Sequence, residues 1–84
     1  MSAINEFAET AKRYYRVDRR EIAYLRFILE AYDGLAVVST LDPEAGIIVL
    51  RISPGCEPDV ERILQDLKRY IMMEPAQPPF EILE

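Results

Sequence analysis

The chain has no histidine and a single cysteine among its 84 residues. These absences exclude a disulfide framework, a zinc site of the usual ligand spacing, and any His-based triad or acid–base pair. Glycine is scarce as well: residues 34, 46 and 55 are the three, and each sits where a turn is expected. No glycine-rich phosphate loop can be built from them. The longest run free of charge and proline, Gly34 to Leu41, is far too short for a membrane span. The segment Met1-Ser2-Ala3-Ile4-Asn5-Glu6-Phe7 has no basic stretch followed by an apolar run. It therefore does not read as a signal peptide, and a soluble, cytoplasmic protein is expected.

What is there is a globular balance, with 50% of residues apolar and 30% charged. A chain of this size buries only about 60–65% of its unfolded surface. Disulfides and metals are the usual reinforcement of such small cores, and neither is expected here. Self-association is the remaining route, so a homo-oligomer, most simply a dimer, is expected.

The net charge of −5 is unevenly spread. Lys12, Arg13, Arg16, Arg19, Arg20 and Arg26 face only Asp18 and Glu21 within residues 12–26, and acidic residues dominate beyond. An acidic protein with one basic stretch is poorly suited to nucleic acid, though it could hold one small anion.

Residues 1–11 read as a short helix or arm, and residues 12–84 as one domain. Arg13-Tyr14-Tyr15-Arg16-Val17 is aromatic and β-branched enough for a first strand. Asp18 is placed as an N-cap, with Glu21 completing a capping box and Val17 and Ile22 a hydrophobic staple. A helix from about Arg19 to Tyr32 follows, stopped by Gly34. Its core stripe is Ile22, Leu25, Leu29 and Tyr32. A second stripe of Tyr24, Phe27, Ile28 and Ala31 leaves few solvated positions, which implies cover from outside the domain's own sheet.

Leu35–Leu41 and Ile47–Ile52 read as a hairpin turning at Asp42-Pro43-Glu44-Ala45-Gly46. With Asp42–Ala45 as a four-residue loop, Leu35, Val37, Ile48, Leu50 and Ile52 face the core. Ala36, Val38, Thr40, Ile47, Val49 and Arg51 then form the opposite face, unusually apolar for a solvated one; a one-residue slip would exchange these sets. Pro58 suits the first turn of a second helix whose stripe is Val60, Ile63, Leu64, Leu67 and Ile71 and which Pro75 ends. Phe80–Glu84 is then a last short strand or an unpaired tail. The order β-α-β-β-α with a sixth β left open matches the α+β ferredoxin-like plan, an antiparallel sheet with both helices on one face.

Several segments carry a resemblance. Asp18-Arg19-Arg20-Glu21-Ile22, Glu30-Ala31-Tyr32-Asp33-Gly34-Leu35, Thr40-Leu41-Asp42-Pro43-Glu44-Ala45-Gly46 and Leu64-Gln65-Asp66-Leu67-Lys68 resemble a small bacterial domain-of-unknown-function family of about this length, over roughly residues 12–72. The pattern is more distantly similar to ACT domains, βαββαβ modules that bind amino acids between paired subunits. That similarity implies a ligand site between the first strand and the first helix. ACT modules commonly have an Asp-x-x-Gly-like turn there, whereas Asp18 is followed by Arg19, Arg20 and Glu21.

Arg19 and Arg20 stand in the first helical turn, where the macrodipole disfavours cations. With Arg16 they could bind a carboxylate or phosphate, or they could pair with Glu21 or acidic neighbours. Arg51 interrupts an apolar strand and, beside Arg16, suits a partner interface or snorkels to the sheet edge. Val38, Ile47, Val49 and Arg51 on the sheet, with Tyr24 and Phe27 on the helix, are the candidate interface. Cys56 precedes a helix start without a base to activate it, and reads as inert. The five tyrosines suit core or interface packing better than base stacking. No carboxylate pair is set apart by an apolar setting. The expectation is a non-enzymatic, homodimerising ACT-like module without metal or cofactor, with a small anion near Arg16, Arg19 and Arg20; the alternative is an adaptor that docks another protein on its apolar sheet face.

Overall fold

A computed structural model describes residues 11–32 and 34–78. The aromatic, β-branched run becomes β1 (Ala11–Val17), followed by a single 3-10 turn over Arg19–Glu21 and by α1 (Ile22–Glu30). The hairpin supplies β2 (Ala36–Asp42) and β3 (Ile47–Ile52), then α2 (Glu57–Leu67) and a three-residue β4 (Met73–Pro75). The four strands lie in the order β2-β3-β1-β4, every neighbouring pair antiparallel. The expected arm over residues 1–11 falls, but for Ala11, outside the described residues, as does the expected last strand over Phe80–Glu84.

Both helices pack on the same side of the sheet. Leu25 and Leu29 of α1 and Val60, Leu64 and Leu67 of α2 share one buried cluster with Tyr15, Val17, Ala36, Val38, Ile48, Leu50 and Ile52. Alternation along each strand aims these sheet residues at the helices. Polar contacts tie the layers together at their margins. Arg13 of β1 forms an ion pair with Glu61 of α2, and the Glu30 carboxylate at the end of α1 accepts the Val38 amide hydrogen bond at 3.0 Å. Because β2 is an edge strand, that amide would otherwise point outward unpaired, open to another strand.

The hairpin differs from expectation by one residue in β2. Asp42 is the last strand residue rather than the first loop residue. Its Oδ1 accepts from the amides of Glu44 and Ala45, both at 3.1 Å, and its carbonyl accepts from Gly46 at 2.9 Å. Asp42 pairs with Ile47, and a bulge between Thr40 and Asp42 then resets the register to Thr40–Ile48, Val38–Leu50 and Ala36–Ile52. The extra residue at Leu41 flips β2. Ala36 and Val38 enter the core and Val37 turns outward, opposite to the expected faces. The exchange also places Ser39 on the outer face, where its hydroxyl accepts from Arg51 Nη1 at 2.7 Å instead of being buried against leucines.

The second correction lies at the end of α2. Its stripe is as expected, with Val60 and Leu64 fully buried, but the helix stops at Leu67 and not at Pro75. Arg69 and Tyr70 donate back to the carbonyls of Asp66 and Leu67, tightening the chain into turns. Ile71 stays buried, and Met73–Pro75 pairs with β1 through Val17–Met73 and Tyr15–Pro75. A sixth element therefore exists, earlier in the chain than expected.

Candidate functional site

The turn between β1 and α1 is where the basic residues converge in sequence. Asp18, extended at φ −61° and ψ 121°, caps the helix start: its Oδ1 accepts from the Arg20 amide at 3.0 Å. The same carboxylate takes the Arg20 guanidinium in a two-bond clasp, Nε to Oδ1 at 3.2 Å and Nη2 to Oδ2 at 2.9 Å. The guanidinium bonds, then the amide bond, hold the Asp18 carboxyl down at about 2, and the guanidinium bonds with the Asp18 charge push the Arg20 pKa up. Arg16 pairs with Glu74 of β4, and Arg19 is exposed. Two of the three expected anion ligands are thus engaged by carboxylates of the chain itself.

This cap has a consequence in acid. The folded pKa of Asp18 is depressed, so its contribution to stability is complete above the unfolded value near 3.8 and is lost as pH falls toward about 2. Asp18→Asn keeps an N-capping side chain but removes the titration. Chemical denaturation of the variant is expected to show a shallower loss of stability between about pH 4 and pH 2 than the parent. Parallel curves through that window would show that Asp18 is not the titrating cap.

The outer face of the sheet is built by Lys12, Tyr14 and Arg16 of β1, Val37 and Ser39 of β2, and Ile47, Val49 and Arg51 of β3. It is less apolar than expected, because the slip in β2 replaces Ala36 and Val38 by Val37 and Ser39. Val38, a candidate interface residue, is 3% exposed and points at the helices. Val49 is on the outer face yet only 2% exposed, while Ile47 is half-buried and Arg51 exposed. Arg51 stands opposite Lys12 in register, not opposite Arg16, which pairs with Ile47. Arg16 is therefore about 13 Å further along the strand.

The other candidates lie on the far side of the molecule. Tyr24 is 50% exposed and Phe27 70% exposed on the outside of α1. A shallow depression of about 440 Å³ surrounds Phe27, lined by Ala23, Arg26, Glu30 and Ala31. Between the helices run two adjoining hollows of about 500 and 380 Å³, which share Tyr32, Arg62 and Ile63. Tyr70, exposed beyond the end of α2, lines the second. The remaining sheet candidates, Ile47, Val49 and Arg51, and the helix candidates thus fall on opposite faces and form no single site. Tyr32, expected in the core stripe of α1, and Tyr70, expected within a longer α2, are both surface residues instead.

Cys56 precedes α2 and is half-buried, its amide bonded to the Ser53 carbonyl at 3.0 Å. Among the described residues no three Cys, Asp or Glu side chains group as a metal site. Among them, too, no helix is long and apolar enough to cross a membrane.

These features define a small α+β domain with a four-stranded antiparallel sheet and two helices on one side. The profile of one family, Domain of unknown function (DUF4911), matches residues 15–71, and the chain belongs to that family. No curated protein and no solved structure matches it.

Proposed function

We propose that this chain is a non-catalytic, homodimerising module on the ferredoxin-like plan, akin to ACT modules. The element order β-α-β-β-α-β and the sheet order β4-β1-β3-β2, read from the β4 edge, support the plan. The observation that carries dimerisation is the apolar outer surface of α1, where Phe27 is 70% exposed beside half-exposed Tyr24. A contiguous apolar patch on a small domain marks an interaction surface.

A small anion at the start of α1 belongs to the same reading, with Arg19 as its most accessible ligand. It would compete with Asp18 for Arg20 and with Glu74 for Arg16.

An adaptor role is the second reading, and Val37 favours it. This side chain is 53% exposed on an outer sheet face that also carries Lys12, Arg16 and Arg51. A partner with an apolar anchor and an acidic rim fits such a face.

Light scattering on the purified chain separates the two. A particle of twice the chain mass that persists to micromolar concentration is expected. A monomer at every concentration would overturn homodimerisation and leave the adaptor reading.

A further inference from the structure

We propose that the second subunit binds through α1 packed antiparallel on α1, with the two-fold axis level with Phe27 and Ile28. The inference rests on the homodimer reading and names the surface and the pairing. Successive helical residues turn by about 100°, so Ala23 and Ala31 lie about 40° to either side of Phe27. Arg26 and Glu30 then form one flank of this stripe, and Tyr24 and Ile28 the other. Ala23, Tyr24, Arg26, Phe27, Glu30 and Ala31 are all exposed.

A stripe with one large residue between two small ones maps onto itself when it is turned end for end, so a two-fold pairing sets ring beside ring and alanine beside alanine. The partner's Phe27 enters the depression that the two alanines leave beside Phe27, and its volume of about 440 Å³ is ample for a ring. Phe27 meets the partner's Phe27, Ala23 meets the partner's Ala31, and Arg26 meets the partner's Glu30, each within about 1.5 Å along the axis. A two-fold axis perpendicular to both helices keeps like flanks together, so the charged flanks meet each other and the tyrosine flanks do the same.

The charges select this orientation. Two reciprocal Arg26–Glu30 pairs form across the axis, while the like-charged Arg26 side chains stay about 4.5 Å apart along it. A parallel two-fold pairing would turn the charged flank against the partner's Tyr24 and Ile28 flank, leaving Arg26 and Glu30 no charged partner across the axis. Both side chains are already directed to this flank: Arg26 Nη2 reaches Thr40 Oγ1 at 3.4 Å, and Glu30 accepts from the Val38 amide through Oε2. The other Glu30 oxygen is placed to receive the partner's guanidinium.

Cysteine cross-linking tests the pairing. Cys56→Ser removes the native thiol, and Ala23→Cys and Ala31→Cys are made separately on that background. Mild oxidation of the mixture is expected to yield a disulfide-linked dimer, because antiparallel packing brings the two Cβ atoms within disulfide reach. Either variant alone should link poorly, since its own copies lie more than about 10 Å apart along the axis. Phe27→Asp should raise the dimer Kd by more than about 30-fold. Equal linking by each variant alone would overturn the antiparallel pairing. A dimer by light scattering that neither links in the mixture nor weakens with Phe27→Asp would overturn the use of α1 and leave the homodimer standing. A monomeric parent would overturn both.

Discussion

Val38→Asp is expected to remove about half of the domain's stability, and Val37→Asp to leave it nearly unchanged. The two residues are neighbours in β2, but the bulge at Leu41 sends Val38 into the core, 3% exposed, and Val37 outward, 53% exposed. An uncompensated carboxylate among Leu25, Leu29 and Leu50 costs about 3–5 kcal/mol. A domain of this size holds only about 5–10 kcal/mol in total. The exposed Asp at position 37 keeps its hydration and shifts stability by less than about 0.5 kcal/mol. Circular dichroism with urea titration reads both. The reverse ranking would mean that β2 pairs in the register expected from a loop over Asp42–Ala45, without the bulge.

Gly46→Ala is expected to destabilise by at least about 4 kcal/mol, among the largest effects of any single methyl in this chain. Gly46 has φ +78°, and an added Cβ would be driven into the Val17 carbonyl oxygen. Val17 cannot retreat, because its amide donates to the Gly46 carbonyl at 2.8 Å and its side chain is buried in the core. The end of β1 and the hairpin turn are therefore held backbone to backbone, with no space for a side chain. Gly34→Ala is the matched comparison: Gly34 has φ +73° but, among the described residues, nothing within 4 Å of an added Cβ. Only the left-handed conformation is penalised there, by roughly 1–2 kcal/mol. Thermal denaturation of the pair should separate them clearly, and equal losses would show that the contact with Val17 is dispensable.

Both effects arise at the hairpin, which is also where the sequence is least explicit. Asp18 is legible as the cap of the turn that leads into α1, although the α-helix begins at Ile22 and not at Arg19, and the β3 face is legible because Arg51 marks the outward positions. Similarly, α2 is legible through Pro58 and its stripe. The face of β2 is not: Ala36, Val37 and Val38 are all apolar, so alternation does not choose between registers. The choice is made by Asp42, whose side chain caps two turn amides, and by the bulge that follows. The end of α2 is likewise silent, since neither glycine nor proline stands between Leu67 and Met73, and β4 went unrecognised as a result.

The basic turn was readable only in part. Asp18 and Arg20 are two residues apart, and their pairing is local. The partner of Arg16, Glu74, is 58 residues away and becomes a neighbour only through β4. The outer stripe of α1 was legible as a helix apolar on a second side, and Tyr24 and Phe27 are exposed there. The sheet residues grouped with them lie on the opposite face, because strand and helix periodicities do not by themselves relate one layer to the other.

NMR spectra of the labelled chain, recorded across a dilution series, test helix-borne association most directly. Concentration-dependent shifts are expected to centre on Ala23, Phe27 and Ala31, with Tyr14, Val37 and Val49 unmoved. Shifts confined to those three sheet residues, with α1 unchanged, would contradict it.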